Sequence, residues 1–407
     1  MRFARILTAA LLLSGLALAQ TTVNYFSFTT GQEHVADLEA LIATFEAQHP
    51  DIRIRFTTAP FGDYFTKLQT DFAAGNPPDV FELNYENFVT FASRGTLAPL
   101  DDRLATDPEL AGDTFYPAAL QAFAYDGVQY GLPITFSTVV LFYNQALFDA
   151  AGVAYPTDDW TWDDVLAAAE TISDPARRIW GIYQPVQFWE FYKVAQAAGG
   201  GLRVDDEIAI DTPENRAALE YLVGKITAGL MPTDAQLSGM ANEDLFQVGQ
   251  LGMLVSGIWM FERFQQAAFP WDIVVEPGGA RRATHFFANA AVVAAPSRVA
   301  DAAWQWVRFL AASPEVARTR IERNWELPAL SLANADALQG YFERGAPANR
   351  AAVFASLAYA VTPPVVDRQP ELQDVINQEL EAARLGSKTV AQALESAQRR
   401  VESLLAD

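Results

Sequence analysis

Residues 125–134 read Tyr-Asp-Gly-Val-Gln-Tyr-Gly-Leu-Pro-Ile, and this stretch indicates how the chain is organised. Asp126 and Gly127 predict a tight turn between two short aromatic strands, because both residue types tolerate the positive φ of hairpin turns. Pro133 is expected to end the second strand, since proline lacks the N–H that a sheet ladder uses. The apolar run 139–143 that follows is too short to predict a helix.

A helix start follows on the C-terminal side, where residues 157–165 read Thr-Asp-Asp-Trp-Thr-Trp-Asp-Asp-Val. Thr161 precedes Asp164 by three positions, which is the spacing of a capping box. The pattern predicts a helix over residues 162–173.

On the N-terminal side, strands and helices alternate. Strands are predicted at 23–28, 52–56 and 79–83, and amphipathic helices at 33–49 and 64–74. This order predicts a parallel sheet with right-handed crossovers. Alternation resumes beyond the central stretch and includes a strand at 288–295, and the last third is helical. No low-complexity linker separates two parts, so we expect two α/β lobes between which the chain crosses more than once.

The first nineteen residues have the pattern of an export signal. Arg2 and Arg5 precede the apolar run 6–18, and Ala17-Leu18-Ala19 matches an A-x-A cleavage site. We therefore expect residues 1–19 to be removed and the mature chain to begin at Gln20. An uncleaved anchor is the alternative, although the apolar run is short for a membrane span.

Composition narrows the class of protein. The chain has 407 residues, no cysteine and a formal net charge of −22. Without cysteine, an exported chain has neither disulfides nor a lipid anchor on an N-terminal cysteine, so we expect a periplasmic protein with a large core. The negative charge argues against nucleic-acid binding, which needs a basic surface, and against anionic lipid.

Several further segments resemble one family. Taken in chain order, the pieces that carry the resemblance are Gly75-Asn76-Pro77-Pro78-Asp79-Val80, Phe246 with Gly249-Gln250 and Gly252-Met253, Gly257 with Trp259, the segments 289–293 and 302–310, and the final helix 385–401. Their order and spacing are similar to those of extracellular solute-binding protein family 1, the maltose-binding-protein-like sugar-binding components of ABC importers.

The resemblance implies a fold and a function. The fold is a two-lobed α/β periplasmic-binding-protein fold (type II-like) with a multi-strand hinge and a ligand cleft between the lobes. We expect residues 20–132 plus 285–330 to form the N-terminal lobe and 133–284 plus 331–407 the C-terminal lobe. Crossings are expected near 133–138, 276–287 and 327–334. The implied function is a monomeric carbohydrate receptor that closes on a di- or oligosaccharide and delivers it to the permease subunits of an ABC transporter.

Candidate binding residues follow predicted strand ends, where open α/β sheets hold ligands. A sugar site needs aromatic platforms for the C–H faces together with polar groups for the hydroxyls. The residues expected to bind sugar are Phe28, Thr30, Tyr64, Asn84, Tyr85, Glu86, Ser137, Trp189, Trp259, Asn289 and Trp325. For the three tryptophans, packing in the core is the alternative. Asp367 and Arg368 lie where the resemblance implies that some members reach the sugar, and a surface ion pair is the preferred alternative.

One departure from the family pattern concerns the run after the Gly-Leu-Pro strand. Many members have an acidic residue there, whereas this chain has Thr135-Phe136-Ser137-Thr138. A second class remains open as the alternative, a secreted glycoside hydrolase, because any two acids can meet across a cleft. No Gly-x-Ser-x-Gly, His-Glu-x-x-His or calcium-loop motif occurs, so we expect no catalytic residue, metal or cofactor.

Overall fold

The structure is a computed structural model that describes residues 20–110, 114, 115, 117–204, 207–330, 340–363, 366 and 368–406. The predicted export signal, Asp367 and residues 331–334 of the expected third crossing lie outside the described residues. Arg368, whose partner was expected to be Asp367, lies 3.9 Å from Glu371.

Strands and helices alternate over most of the described chain. The strands are β1 (Thr21–Ser27), β2 (Ile52–Thr58), β3 (Val80–Asn84), β4 (Ala124–Tyr125), β5 (Val128–Gln129), β6 (Gly131–Asn144), β7 (Trp180–Tyr183), β8 (Arg203–Val204), β9 (Glu207–Ile208), β10 (Leu251–Gly257), β11 (Trp271–Val275), β12 (Thr284–Val293), β13 (Leu327–Pro328) and β14 (Ala360–Val361).

The helices connect and cover these strands. They are α1 (Gln32–Gln48), α2 (Phe61–Ala73), α3 (Tyr85–Ser93), α4 (Asp101–Thr106), α5 (Pro117–Gln121), α6 (Gln145–Ala151), α7 (Trp162–Ile172), α8 (Phe188–Ala197), α9 (Pro213–Thr227), α10 (Asp234–Leu237), α11 (Asn242–Gln247), α12 (Phe261–Phe264), α13 (Ala300–Ala312), α14 (Pro314–Glu322), α15 (Ala351–Ser356), α16 (Gln369–Arg384) and α17 (Val390–Ala406), with 3-10 turns at Pro175–Arg177, Ile258–Met260 and Leu357–Tyr359.

The predicted parallel sheet near the N-terminus is confirmed. β1 pairs in parallel with β2 on one side and with β3 on the other. Buried Ile52 and Ile54 alternate with exposed neighbours in β2, as expected for a strand with one face in the core. The apolar stripe of α1, which includes Leu38, Leu41 and Phe45, packs into the same core.

The described strands join into a ten-stranded mixed sheet in the order β2-β1-β3-β12-β6-β10-β7, with β11 and β13 also on β6 and β14 on β12. β6 is the strand that links its two halves. Residues 131–138 of β6 pair antiparallel with β12, and residues 139–144 pair with β10 and β11. Every residue of β6 is buried, because the strand is covered along its whole length.

Two sequence predictions about this region are wrong. Pro133 does not end a strand, since it lies inside β6 opposite Ala290, where the register with β12 shifts. At such an irregularity the missing N–H of proline costs little. β12 begins at Thr284, four residues before the predicted start at 288, because cross-strand partners extend it.

The local turn and capping predictions are confirmed. Asp126 and Gly127 have positive φ angles of 49° and 77° between β4 and β5. The Asp164 carboxylate accepts hydrogen bonds from the backbone N–H and the hydroxyl of Thr161 at 2.8 and 2.7 Å. These bonds lower the pKa of Asp164 and fix the start of α7.

A second hydrophobic core lies between the two C-terminal helices and helices α8 and α9. α16 and α17 pack against these helices through buried residues that include Leu372, Leu380, Leu394 and Val401. Within the described residues, no helix is both long and apolar enough to span a membrane.

Candidate functional site

The strand registers place six side chains on one face of the sheet where β3, β12 and β6 meet. Directly paired residues point to the same face of a sheet, and residues two apart do so as well. Asn84 pairs with Asn289, Asn289 with Thr135, and Phe287 with Ser137. His285 precedes Phe287 by two residues. We call this set the crossing-strand face: Asn84, Thr135, Ser137, His285, Phe287 and Asn289.

Ser137 is the polar group of this face that the protein leaves unsatisfied. Its side chain is fully buried, and its Oγ has no hydrogen-bond partner among the described residues. By contrast, Asn289 Nδ2 donates to Thr135 Oγ1 at 3.1 Å and lies 3.4 Å from Glu326 Oε1. A buried hydroxyl without a partner is costly, so Ser137 is suited to bond a group brought by a ligand.

Aromatic side chains flank the crossing-strand face. Trp259 follows β10 and meets Phe287 edge to face, with ring centroids 5.3 Å apart. Trp189, in the first turn of α8, lies 6.1 Å from Phe287 and 5.8 Å from His285. Trp189 and Trp259 are both half-buried, so part of each ring remains available for contact.

Gly257 makes the position of the Trp259 ring possible. A Cβ on Gly257 would lie 1.9 Å from Trp259 Cζ3 and 2.1 Å from Cη2. The indole therefore rests directly on the glycine backbone, and any side chain at position 257 would displace it.

A hydrogen-bonded chain joins α3 to α8 through His285. Asn84 Nδ2 donates to Glu86 Oε2 at 2.5 Å, and Glu86 Oε1 lies 2.9 Å from His285 Nε2. On its other side, His285 Nδ1 is hydrogen-bonded to the hydroxyl of Tyr192, which also lies 3.2 Å from the carbonyl oxygen of Val361. Glu86 and His285 are at most 1% exposed.

A buried ion cluster includes two residues of α8, Glu190 and Lys193. Lys193 Nζ lies 2.8 Å from Glu190 Oε2 and 2.7 Å from Glu276 Oε2. Burial raises the pKa of Glu276 to about 7, although Lys193 acts in the opposite direction. Lys225 Nζ donates to Gln184 Oε1 at 2.8 Å, and burial holds the pKa of Lys225 well below its usual value. The cluster ties α8, which carries Trp189, to the segment that leads into β12.

The sequence profile of the bacterial extracellular solute-binding proteins matches residues 30–317. The chain belongs to this family.

Three relatives show what members of the family bind. A solved ABC substrate-binding protein of Listeria monocytogenes, in complex with cycloalternan, is 43% identical and has a TM-score of 0.92, covering 95% of this chain and 99% of that one. The cyclic α-maltosyl-1,6-maltose binding protein of Arthrobacter globiformis is 26% identical with a TM-score of 0.75, covering 95% and 99%. The maltotriose-binding protein of Pyrococcus abyssi is 26% identical over 72% of this chain and 63% of its own.

The comparisons confirm the predicted family and the two-lobed α/β fold of its sugar-binding members. The family is one of extracellular proteins, and the relatives reported above are binding proteins.

Several residues predicted to bind sugar are brought together at the crossing-strand face or beside it. They are Asn84, Glu86, Ser137, Trp189, Trp259 and Asn289, and Tyr85 follows Asn84 as a half-buried residue at the start of α3.

Four predicted residues have other surroundings. Phe28 is half-buried and packs against Phe61, whose ring is 46% exposed, with centroids 5.4 Å apart. Thr30 is exposed. The buried hydroxyl of Tyr64 lies 2.9 Å from the carbonyl oxygen of Glu82 and accepts from its N–H at 3.0 Å, so it joins α2 to β3.

Trp325 is 7% exposed and is held between two side chains. Its ring stacks on His34 with centroids 4.9 Å apart, and the guanidinium of Arg320 lies 4.1 Å from the ring centroid. This surrounding matches the packing role that was the alternative for this tryptophan.

Sequence reasoning did not single out His285, Phe287, Tyr192 or Glu326 as site residues. His285 and Phe287 lie in a segment where the predicted strand had not yet begun. Residues 284–287 read Thr-His-Phe-Phe. Such an aromatic-rich run is typical of a strand, and it could have extended the predicted strand towards the N-terminus.

Among the described residues, no group of three or more histidine, aspartate or glutamate side chains could hold a metal ion.

Proposed function

We propose that this protein binds a neutral oligosaccharide at the crossing-strand face and presents it to an ABC transporter. The observation that carries the proposal is the buried Ser137 hydroxyl, which has no hydrogen-bond partner among the described residues. Ser137 pairs across the sheet with Phe287, whose ring lies near the rings of Trp189 and Trp259. Flat rings suit the C–H faces of a sugar, and hydroxyl, amide and carboxylate groups suit its rim. Relatives that bind oligosaccharides support the same ligand class.

The ligand enters by an opening of the cleft. Ser137 is fully buried, so a sugar can reach it only if the segments around it move apart. We take α3 and α8, which His285 links through Glu86 and Tyr192, as the two flanks of the cleft that separate. β6 changes partners between Thr138 and Val139, at the end of the predicted crossing 133–138, which supports a hinge at that point. A sugar that contacts both flanks favours the closed form by its differential affinity for that form.

Delivery and location complete the proposal. Residues 1–19 would direct export and be removed, and the mature protein would act in the periplasm as a monomer that docks on permease subunits. The sugar would be released chemically unchanged, which separates this function from that of a glycoside hydrolase. The family match supports a location outside the cytoplasm and a role in binding a solute, because its members are extracellular solute-binding proteins.

Calorimetry of the mature chain against a sugar panel tests the proposal. The panel contains maltotriose, cycloalternan and cyclic α-maltosyl-1,6-maltose, so that it separates linear from cyclic ligands. We expect tight binding of at least one sugar, no product after long incubation, and weaker binding by Trp259→Ala. Trp160→Ala is the matched control, because the ring of Trp160 packs on Phe148. Hydrolysis of a bound sugar, or equal binding by Trp259→Ala, would contradict the proposal.

A further inference from the structure

We propose that His285 is a positioning residue of the cleft that takes up a proton when the cleft opens and releases it when the cleft closes on a sugar. The inference rests on the proposed function, because it assumes that closure brings α3 and α8 together around this side chain. It predicts that an uncharged ligand binds with a pH-dependent affinity.

The first argument is the place of His285 between the two flanks. Its Nε2 lies 2.9 Å from the Glu86 carboxylate of α3, and its Nδ1 is hydrogen-bonded to the Tyr192 hydroxyl of α8. The ring also stacks on Phe287 with centroids 3.4 Å apart. If the flanks separate, at least one of these hydrogen bonds must break, and the imidazole then meets water.

The second argument is that the hydrogen-bond network accommodates either protonation state. In neutral His285, Nε2–H donates to Glu86 and Nδ1 accepts from the hydroxyl of Tyr192. When Nδ1 carries a proton, it donates to the Tyr192 oxygen, and the hydroxyl can turn to the carbonyl oxygen of Val361 at 3.2 Å. Neither state leaves an unpaired group, so the imidazole can change its charge without a rearrangement of the backbone.

The third argument concerns charge and burial around the ring. Among the described residues, the groups that act on His285 are Glu86 from α3, with Glu190 and Lys193 from α8. Glu276 belongs to the same ion cluster through Lys193, and β14 pairs with His285 through the uncharged Val361. Burial lowers the pKa of His285, and the hydrogen bond with Glu86 opposes this effect only in part.

The sign of the linkage follows from this direction. An exposed histidine has a pKa of about 6.5, and the buried state holds it lower, so the closed form binds fewer protons than the open form. Closure is therefore unopposed above about pH 6.5 and is weakened as the pH falls below that value. A sugar should bind more weakly in acid even though the sugar itself carries no charge.

Calorimetry at two pH values provides the first test. Using the panel sugar that binds best, we expect Kd to rise between about pH 8 and about pH 5.5 in the wild type, by at most about tenfold for one group with an ordinary pKa of about 6.5, and by less than about twofold in His285→Gln. The heat of binding at about pH 6 should vary with the ionisation enthalpy of the buffer, because a proton is released. His49→Gln is the matched control and should behave as the wild type, since the ring of His49 stacks on Phe45 in α1.

A second variant separates proton linkage from damage to the fold. Tyr192→Phe removes the oxygen that accepts from protonated Nδ1, so its loss of affinity in acid should be larger than that of the wild type. A merely structural role of His285 would leave the pH profile of Tyr192→Phe unchanged.

The histidine NMR spectrum gives a readout that needs no ligand. The chain has three histidines, and the variants assign their signals. His285 should titrate near its ordinary pKa in the sugar-free protein and resist protonation in the complex. An unchanged protonation state between about pH 5 and about pH 8 in the free protein would overturn the inference. If no panel sugar binds at about pH 8, the proposed function is contradicted. If a sugar binds with a Kd that does not change with pH, only the proton linkage of His285 is contradicted.

Discussion

Replacement of Gly257 by alanine should move the Trp259 ring, because the three atoms nearest to the added Cβ all belong to that ring. Gly257 has φ −91° and ψ 166°, an extended conformation that alanine adopts freely, so backbone strain does not contribute. The new Cβ would lie 1.9 Å from Cζ3 of the indole. The ring must shift by about 1.5 Å to restore an ordinary carbon–carbon contact.

Two magnitudes follow from this collision. Overpacking of this kind costs about 1–3 kcal/mol of unfolding free energy. If the ring is a sugar platform, its displacement should also cost about 1–3 kcal/mol of binding, or roughly 5- to 150-fold in Kd. Urea unfolding measures the first quantity and calorimetry with a panel sugar measures the second.

A double-mutant cycle makes the test specific to the ring. In Trp259→Ala the indole is gone and the Cβ of Gly257→Ala has room, so the second substitution should cost almost nothing in stability or binding. Gly224→Ala is the matched control, since no atom lies within 4 Å of its added Cβ on the exposed side of α9. It should stabilise the protein by about 0.5–1 kcal/mol through helix propensity and leave Kd unchanged.

Additive costs for the two substitutions would refute this reasoning. So would a Gly257→Ala protein that folds and binds sugar as tightly as the wild type, because the ring would then not be held where the binding proposal needs it.

Three more outcomes can be measured on the same protein. Lys193→Met should cost about 3–5 kcal/mol in urea unfolding, because it leaves two buried carboxylates without their counter-charge, and an unchanged midpoint would argue against the buried ion cluster. Ser137→Ala should leave unfolding almost unchanged but weaken sugar binding by about 1 kcal/mol in calorimetry; equal Kd values would remove the hydroxyl from the site. Tyr64→Phe should lower the free energy of unfolding by about 1–3 kcal/mol while Kd stays constant. Unchanged stability with a raised Kd would indicate instead that Tyr64 contacts the sugar.

The sequence predicted what depends on neighbours in the chain. The hairpin turn at Asp126 and the capping box of Thr161 follow from residues a few positions apart, and the structure confirms them. The parallel start of the sheet was predicted from the order of strands and helices, each recognised locally, and is also confirmed. Trp259 was predicted as a sugar platform from its place after Gly257 at the end of a strand and from the family resemblance.

The errors and omissions concern partners distant in the chain. Nothing near Pro133 indicates that β12 shifts its register at this point and so tolerates the proline within a strand. His285 was missed for the same reason, because its partners Glu86 and Tyr192 lie 199 and 93 positions away. Burial of Trp325 between His34 and Arg320 depends on how α1 and α14 pack, which no local pattern contains.

The position of β12 between β3 and β6 has a consequence for biosynthesis. β3 is complete about 200 residues before its second neighbour is made, so its edge stays open for most of translation. The nascent chain cannot complete the hydrophobic core around β1, β2 and β3 early in synthesis. Unless another protein covers the open edge of β3, that edge can pair with other chains and aggregate. The same delay keeps the polypeptide unfolded for longer while it is synthesised, which suits a member of an extracellular protein family.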